Sequence, residues 1–132
     1  MSGKENFFKT SDGVWLYLEI SGEGKPLLLL PGFGESTTMW RHSVPVFSER
    51  YQVINLDLRG HGRSMKAPGT NRQERMAQDI RELIDYLELQ DVLLIGHSLG
   101  GAVAAYEFTR RARESGRSVV TSNKERVSTK GD

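Results

Sequence analysis

The stretch from residue 93 to 108, LLIGHSLGGAVAAYEF, constrains this chain more than any other. An aliphatic run stops at a glycine, a serine follows two residues later, and small residues at helical spacing come after it. Gly96-His97-Ser98-Leu99-Gly100 fits the pattern G-x-S-x-G. The demand behind the pattern is steric: a strand turns into a helix so sharply that the serine hydroxyl stands above the sheet edge. A backbone held that way stores on the order of 1–3 kcal/mol of strain. Glycines on both sides leave room for neighbouring backbone. An ordinary glycine-rich turn capping a helix carries the same letters, so the context decides. Here a buried strand precedes the serine and a helix follows it, and the helix N-terminus favours developing negative charge. Ser98 is therefore the candidate nucleophile.

The rest of the chain reads as strands alternating with helices. Residues 7–10 and 14–20 flank Ser11-Asp12-Gly13 as a β-hairpin. In the second strand Val14, Leu16 and Leu18 alternate with Trp15, Tyr17 and Glu19, giving it two unlike faces. Leu27 to Leu30 forms a short buried strand, closed by Pro31 and Gly32. Thr37 or Thr38 caps a helix reaching about Ser48, which Pro45 makes short, kinked or broken. Residues 51–58 form the next strand, and RGHGRSMKAPGT the loop after it. Between Arg72 and Glu88, Met76, Ile80, Leu83, Ile84 and Leu87 make one helical stripe, with Asn71 and Glu74 spaced as a capping box. Residues 91–96 give another buried strand, and residues 99 to about 111 another helix. The fold class is α/β: a mostly parallel sheet with an antiparallel N-terminal hairpin and flanking helices.

Residues 1–111 carry all of this pattern. From 112 to 132 the apolar residues are Ala112, Val119, Val120 and Val127. Residues 110–132 hold seven Lys/Arg and three Asp/Glu, so they carry +4 and leave −3 for the rest of a chain whose formal net charge is +1. A polar, basic, poorly ordered tail is expected there, with Val119 and Val120 as a strand remnant. The near-neutral total gives no reason to expect nucleic acid or an anionic membrane as partner. The longest aliphatic run, Leu27 to Leu30, is too short to cross a bilayer, and the N-terminus lacks the apolar core of a secretory signal, so a cytoplasmic protein is expected. With no cysteine and three scattered histidines, neither a metal site nor a cofactor is expected. A phosphate-binding reading of the glycine loops fails because no Lys or second Ser/Thr sits where a P-loop needs one.

A second stretch points to acyl transfer. LLLLPGFGES is a buried strand ending in a glycine-rich loop, and two backbone N–H groups aimed at a tetrahedral oxyanion supply about 3–4 kcal/mol each. The loop donor is the amide of Phe33, whose side chain would otherwise be read as core packing beside a turn. The other donor is the amide of Leu99, next to the serine.

LLLLPGFGES, INLDLRGHGRS and LIGHSLGGAVA, in this order and at these separations, resemble the N-terminal half of the α/β-hydrolase superfamily, in its branch of serine ester hydrolases, lactonases and cofactor-free haloperoxidases. The resemblance covers residues 5 to about 111. It implies Ser98 as nucleophile, with Phe33 and Leu99 as oxyanion donors. Related dehalogenases and epoxide hydrolases carry aspartate at the nucleophile position, so serine argues against those activities. Pro31 departs from the histidine of many members. The loop after the fourth strand reads as structural, with Asp57 and Arg59 pairing. His61 reads as a solvated or loop-packing residue, His42 as a helix-surface one and His97 as packing fixed by the elbow.

In that family the acid and the histidine of the triad lie in the C-terminal half. The expectation is a partial α/β-hydrolase fold lacking the C-terminal strands, from a truncated chain close to inactive on its own. Losing the histidine of such a triad costs roughly 10⁶ in kcat. Its strand at 91–96, central in the full fold, would lie at an edge, open to self-association or a complementing chain. Two functions are thus expected: hydrolysis of a small ester-like substrate through Ser98, or a non-catalytic remnant that binds through its exposed sheet edge.

Overall fold

The structure is a computed structural model that describes residues 4–106, 118–121 and 126–128. Its elements are β1 (Lys4–Lys9), β2 (Trp15–Ser21), β3 (Lys25–Leu30), a 3₁₀ turn (Thr37–Trp40), α1 (Val44–Phe47), β4 (Tyr51–Leu56), α2 (Gln73–Tyr86) and β5 (Leu93–Gly96). Helix α3 then begins at residue 99 and is described as far as 106; β6 (Ser118–Thr121) and β7 (Arg126–Ser128) follow. The strands form one mixed sheet in the order β1-β2-β4-β3-β5-β6-β7.

The centre is parallel. β3 runs between β4 and β5, with Leu27 opposite Val53 on one side and Leu93 on the other, and Leu30 opposite Gly96. The β1–β2 hairpin is antiparallel, with Phe7 opposite Tyr17, and β2 joins β4 antiparallel. A strand this apolar needs cover on both faces. The four leucines of β3 point alternately to two clusters, and all four are fully buried. Leu28 and Leu30 join Ile54, Leu56, Met76, Ile80, Leu83 and Val103 under α2 and α3. Leu27 and Leu29 join Val53 beneath Trp40, Val44 and Phe47. Each such leucine or isoleucine contributes about 1.5–3 kcal/mol by leaving water.

The helix expected from 37 to 48, short, kinked or broken at Pro45, is broken into two short pieces, because Pro45 sits in the first turn of α1 and cannot continue the preceding turn. Three other expectations are corrected. The 3₁₀ turn is capped by neither Thr37 nor Thr38 but by Ser36, whose Oγ accepts from the Thr38 amide at 3.4 Å. Thr37 is drawn inward instead. The capping box at Asn71 and Glu74 does not form: Arg72 is the N-cap of α2, without a side-chain cap bond. The Asn71 amide lies over Gly60 instead. Third, β5 is not an edge. It pairs in parallel with β6, Ile95 opposite Val120, and β6 pairs antiparallel with β7, Val119 opposite Val127. Ser-Val-Val-Thr is β-prone enough to extend the sheet. The expected continuation of α3 over 107–111, and poor order across 112–132 outside β6 and β7, concern residues outside those described.

Candidate active site

The parallel strands β3, β4 and β5 end together, and the loops that follow them meet. Ser98 stands at the corner between β5 and α3 with φ of +55°, a backbone region that L residues other than Asn and Asp avoid at a cost of about 1–2 kcal/mol. The corner is tied down on both sides of the serine. The His97 amide donates to Leu30 O at 3.0 Å, and Gly100 N donates to His97 O at 2.9 Å. Ala102 N donates to Ser98 O at 3.0 Å, starting the helix. The two glycines of the pattern have a steric reason. A side chain at Gly96 would run into the backbone of Gly100 and Gly101, and one at Gly100 into the carbonyls of Leu30 and Pro31. Ser98 is exposed, while Gly96 and Gly100 on either side are buried.

The same contacts bring the 31–34 segment against the corner. Phe33 sits at its tip, 69 % exposed, so its ring is not the core-packing aromatic of the alternative reading. The segment turns through a Glu35 N–H bond to Gly32 O at 3.1 Å. Leu99 begins α3 and packs partly against the large core. The elbow that carries Ser98 and Leu99 therefore adjoins the loop that carries Phe33.

The far end of the segment is held by a buried polar clasp that the sequence did not announce. Thr37 donates its amide to Asp57 Oδ1 at 2.7 Å, and its carbonyl accepts from Asn55 Nδ2 at 2.9 Å. Asp57 Oδ2 accepts from the Arg63 amide at 2.9 Å. Burial pushes the Asp57 carboxyl up, partly offset by these two amides. Asp57 does not pair with Arg59.

Arg59 points the other way and is fully buried. Its Nε and Nη2 meet Asp79 at 2.7 and 2.8 Å, its Nη1 and Nη2 meet Asp12 at 3.0 and 2.9 Å, and Nη1 donates to Thr70 Oγ1 at 2.9 Å. Arg75 joins Asp79 at 3.1 Å and Glu82 at 3.1 Å. Burial alone would lower the guanidinium, but its bonds to Asp79 and then Asp12 outweigh that and raise it. The cluster pins the hairpin turn, the 57–64 loop and α2 together. One signal was available: Asp79 is a carboxylate on the apolar stripe of α2, and a buried carboxylate needs a cation.

The histidines have separate stations. His42 is exposed after the 3₁₀ turn. His61 Nδ1 lies 3.0 Å from the Arg59 carbonyl oxygen, and its ring meets Phe33 edge-on at 5.7 Å. His97 directs Nε2 toward Glu35 Oε1 at 3.7 Å, linking the elbow to the 31–35 segment. Among the described residues no group of three or more His, Cys, Asp or Glu is arranged to hold a metal, and no helix is long and apolar enough to cross a membrane.

A family model described as alpha/beta hydrolase fold matches residues 25–125. The chain belongs to the α/β-hydrolase family. It is 43 % identical over 96 residues to a soluble epoxide hydrolase from Corynebacterium sp. (strain C12), a match covering 72 % of this chain and 33 % of that protein. A solved hydrolase from Pseudomonas aeruginosa PA01 superposes with a TM-score of 0.75 at 34 % identity, over 79 % of this chain and 40 % of that one. An esterase from Exiguobacterium antarcticum gives 0.77 at 32 % identity, over 80 % and 40 %. This hydrolase-family chain spans about a third of the length of the curated relatives it matches.

Proposed function

We propose that this chain carries the nucleophile and the oxyanion donors of a serine hydrolase acting on ester-like carbonyl substrates. The observation that supports the reading is the exposed Ser98 at positive φ beside the 31–34 segment. In the proposed reaction Ser98 Oγ attacks the carbonyl carbon and gives its proton to a base. The oxyanion forms beneath the amides of Phe33 and Leu99, the alcohol leaves with a proton, and water then releases the acid from the serine ester.

Several relatives and solved structures it matches are epoxide hydrolases, and in this reading the chemistry of Ser98 separates this chain from that activity. A carboxylate that opens an epoxide forms an ester, which water can cleave. A serine that did so would form an ether and stop after one event. The proposed substrates are therefore those whose attack by an alkoxide gives a hydrolysable ester.

We place the base on neither His61, which is turned onto its own loop, nor His97, which is turned toward Glu35. Without a base, serine at its ordinary pKa is a poor nucleophile, and donors alone leave on the order of 10³–10⁴ over water. The isolated chain is close to inactive. The test is a fluorophosphonate probe on the purified chain with and without added imidazole as a surrogate base. Labelling is expected to be slow, confined to Ser98, accelerated by imidazole and absent in Ser98→Ala. Labelling elsewhere, or none even with imidazole, would overturn the nucleophile; fast stoichiometric labelling without imidazole would overturn the missing base.

A further inference from the structure

We propose that His61 is a positioning residue for the Phe33 amide, an inference that rests on the oxyanion role given to that amide above. Phe33 occupies the exposed tip of the 31–34 segment, where a backbone donor is hardest to hold still. A donor helps an oxyanion only when it is fixed within a few tenths of an ångström, roughly 0.5 Å. The clasp on Thr37 fixes the segment four residues further on, and the elbow contacts fix its start at Leu30 and Pro31. The tip itself is met by the His61 ring, edge-on, with centroids 5.7 Å apart and planes at 84°.

His61 is suited to brace because it is braced itself. A carbonyl oxygen only accepts, so the 3.0 Å contact with Arg59 O places a proton on Nδ1 and fixes the ring's orientation. Its amide donates to Leu58 O at 2.9 Å, and its carbonyl accepts from Ser64 N at 2.9 Å. The carbonyl it holds belongs to the residue whose side chain is locked between Asp12 and Asp79. A rigid chain of contacts thus runs from the buried ion cluster, through Arg59 and His61, to the tip of the donor loop. The 57–64 loop steadies the donor loop at two points, Asp57 at the back and His61 at the front.

The experiment measures imidazole-assisted fluorophosphonate labelling of Ser98 in the 132-residue chain, with amide hydrogen exchange at Phe33 by NMR as a second readout. His61→Ala is expected to label about two- to tenfold more slowly, the range an edge-on aromatic contact supports, and to exchange the Phe33 amide faster by a similar factor. His61→Phe keeps a ring edge and retains most of the rate. His61→Asn keeps a donor to the Arg59 carbonyl without the ring and is as slow as His61→Ala. His42→Ala matches the unaltered chain, and far-UV circular dichroism shows every variant folded at the labelling temperature. Equal labelling in all His61 variants would overturn the brace while leaving Ser98 as nucleophile. Should the unaltered chain fail to label, the nucleophile falls, and unchanged Phe33 exchange in His61→Ala would then overturn the brace independently.

Discussion

Two polar regions at the same end of the sheet are built in opposite ways. The cluster around Arg59 is closed: the guanidinium has no exposure, and its donors all face oxygen of Asp12, Asp79 or Thr70. The corner at Ser98 is open, with the side chain exposed on a backbone at positive φ. Polar groups with every partner in place add rigidity and do no chemistry. A hydroxyl exposed to water on a backbone held against its preference is where the proposed chemistry would sit, and the closed region steadies its surroundings. The two should therefore respond to substitution with opposite sign.

The sharpest break is Arg59→Ala. Removing one member of a buried ion pair leaves the other charge uncompensated and costs about 3–5 kcal/mol. Whole domains hold about 5–15 kcal/mol, so a large share of the stability of a chain this size is lost and the urea midpoint is expected to fall steeply. Urea denaturation followed by far-UV circular dichroism would show it. A midpoint within error of the unaltered chain would mean that Asp12 and Asp79 are solvated and the closed region is not closed.

Ser98→Gly should go the other way. Glycine adopts positive φ without a steric penalty, which relieves on the order of 1–3 kcal/mol. Its greater freedom in the unfolded chain takes back about 0.4–1 kcal/mol. A net gain of about 1 kcal/mol in unfolding free energy is expected, together with complete loss of imidazole-assisted labelling. A stability loss would mean that the hydroxyl makes a supporting bond and that the corner is structural after all.

The open region was legible in the sequence and the closed one was not, for a physical reason. The elbow is local: a strand, two glycines and a helix within a dozen residues dictate the turn, and Gly96 and Gly100 are needed because backbone passes where their side chains would be. Helix α2 was legible likewise, through the spacing of Met76, Ile80 and Leu83. The partners of Arg59 lie 47 and 20 residues away, so no local pattern names them, and the nearer Asp57 was mistaken for one. Thr37 and Asn71 looked like caps by spacing, yet the first is claimed by Asp57 and Asn55 and the second lies over Gly60. The β5–β6 pairing was missed because the expectation weighed the polarity around Val119 and Val120 above the β propensity of the four residues themselves.

The smallest effect separates the two regions by pH. The Arg59 hydrogen bond, only partly opposed by burial, holds the Asp12 carboxyl well below its ordinary value. At Glu82 burial acts upward, but bonds from Ser11 and Gln78 and the charge of Arg75 prevail and hold it below as well. For both, the unfolded chain binds more protons than the folded one in this window, so stability rises with pH. Their contribution is full above the unfolded carboxyl values, about 4, and is lost as pH falls below that. Asp12 is about a third exposed, 35 %, so water screens part of its interaction and the slope is shallow. Urea midpoints of the unaltered chain should fall between roughly pH 4 and pH 3, and Asp12→Asn, weaker at neutral pH, should fall less. The gain in Ser98→Gly is steric and should keep its size across the same range. A gain that shrank in step with the Asp12 contribution would mean that the strain at the corner is held in place by the ion cluster itself, and the two regions would then be one device.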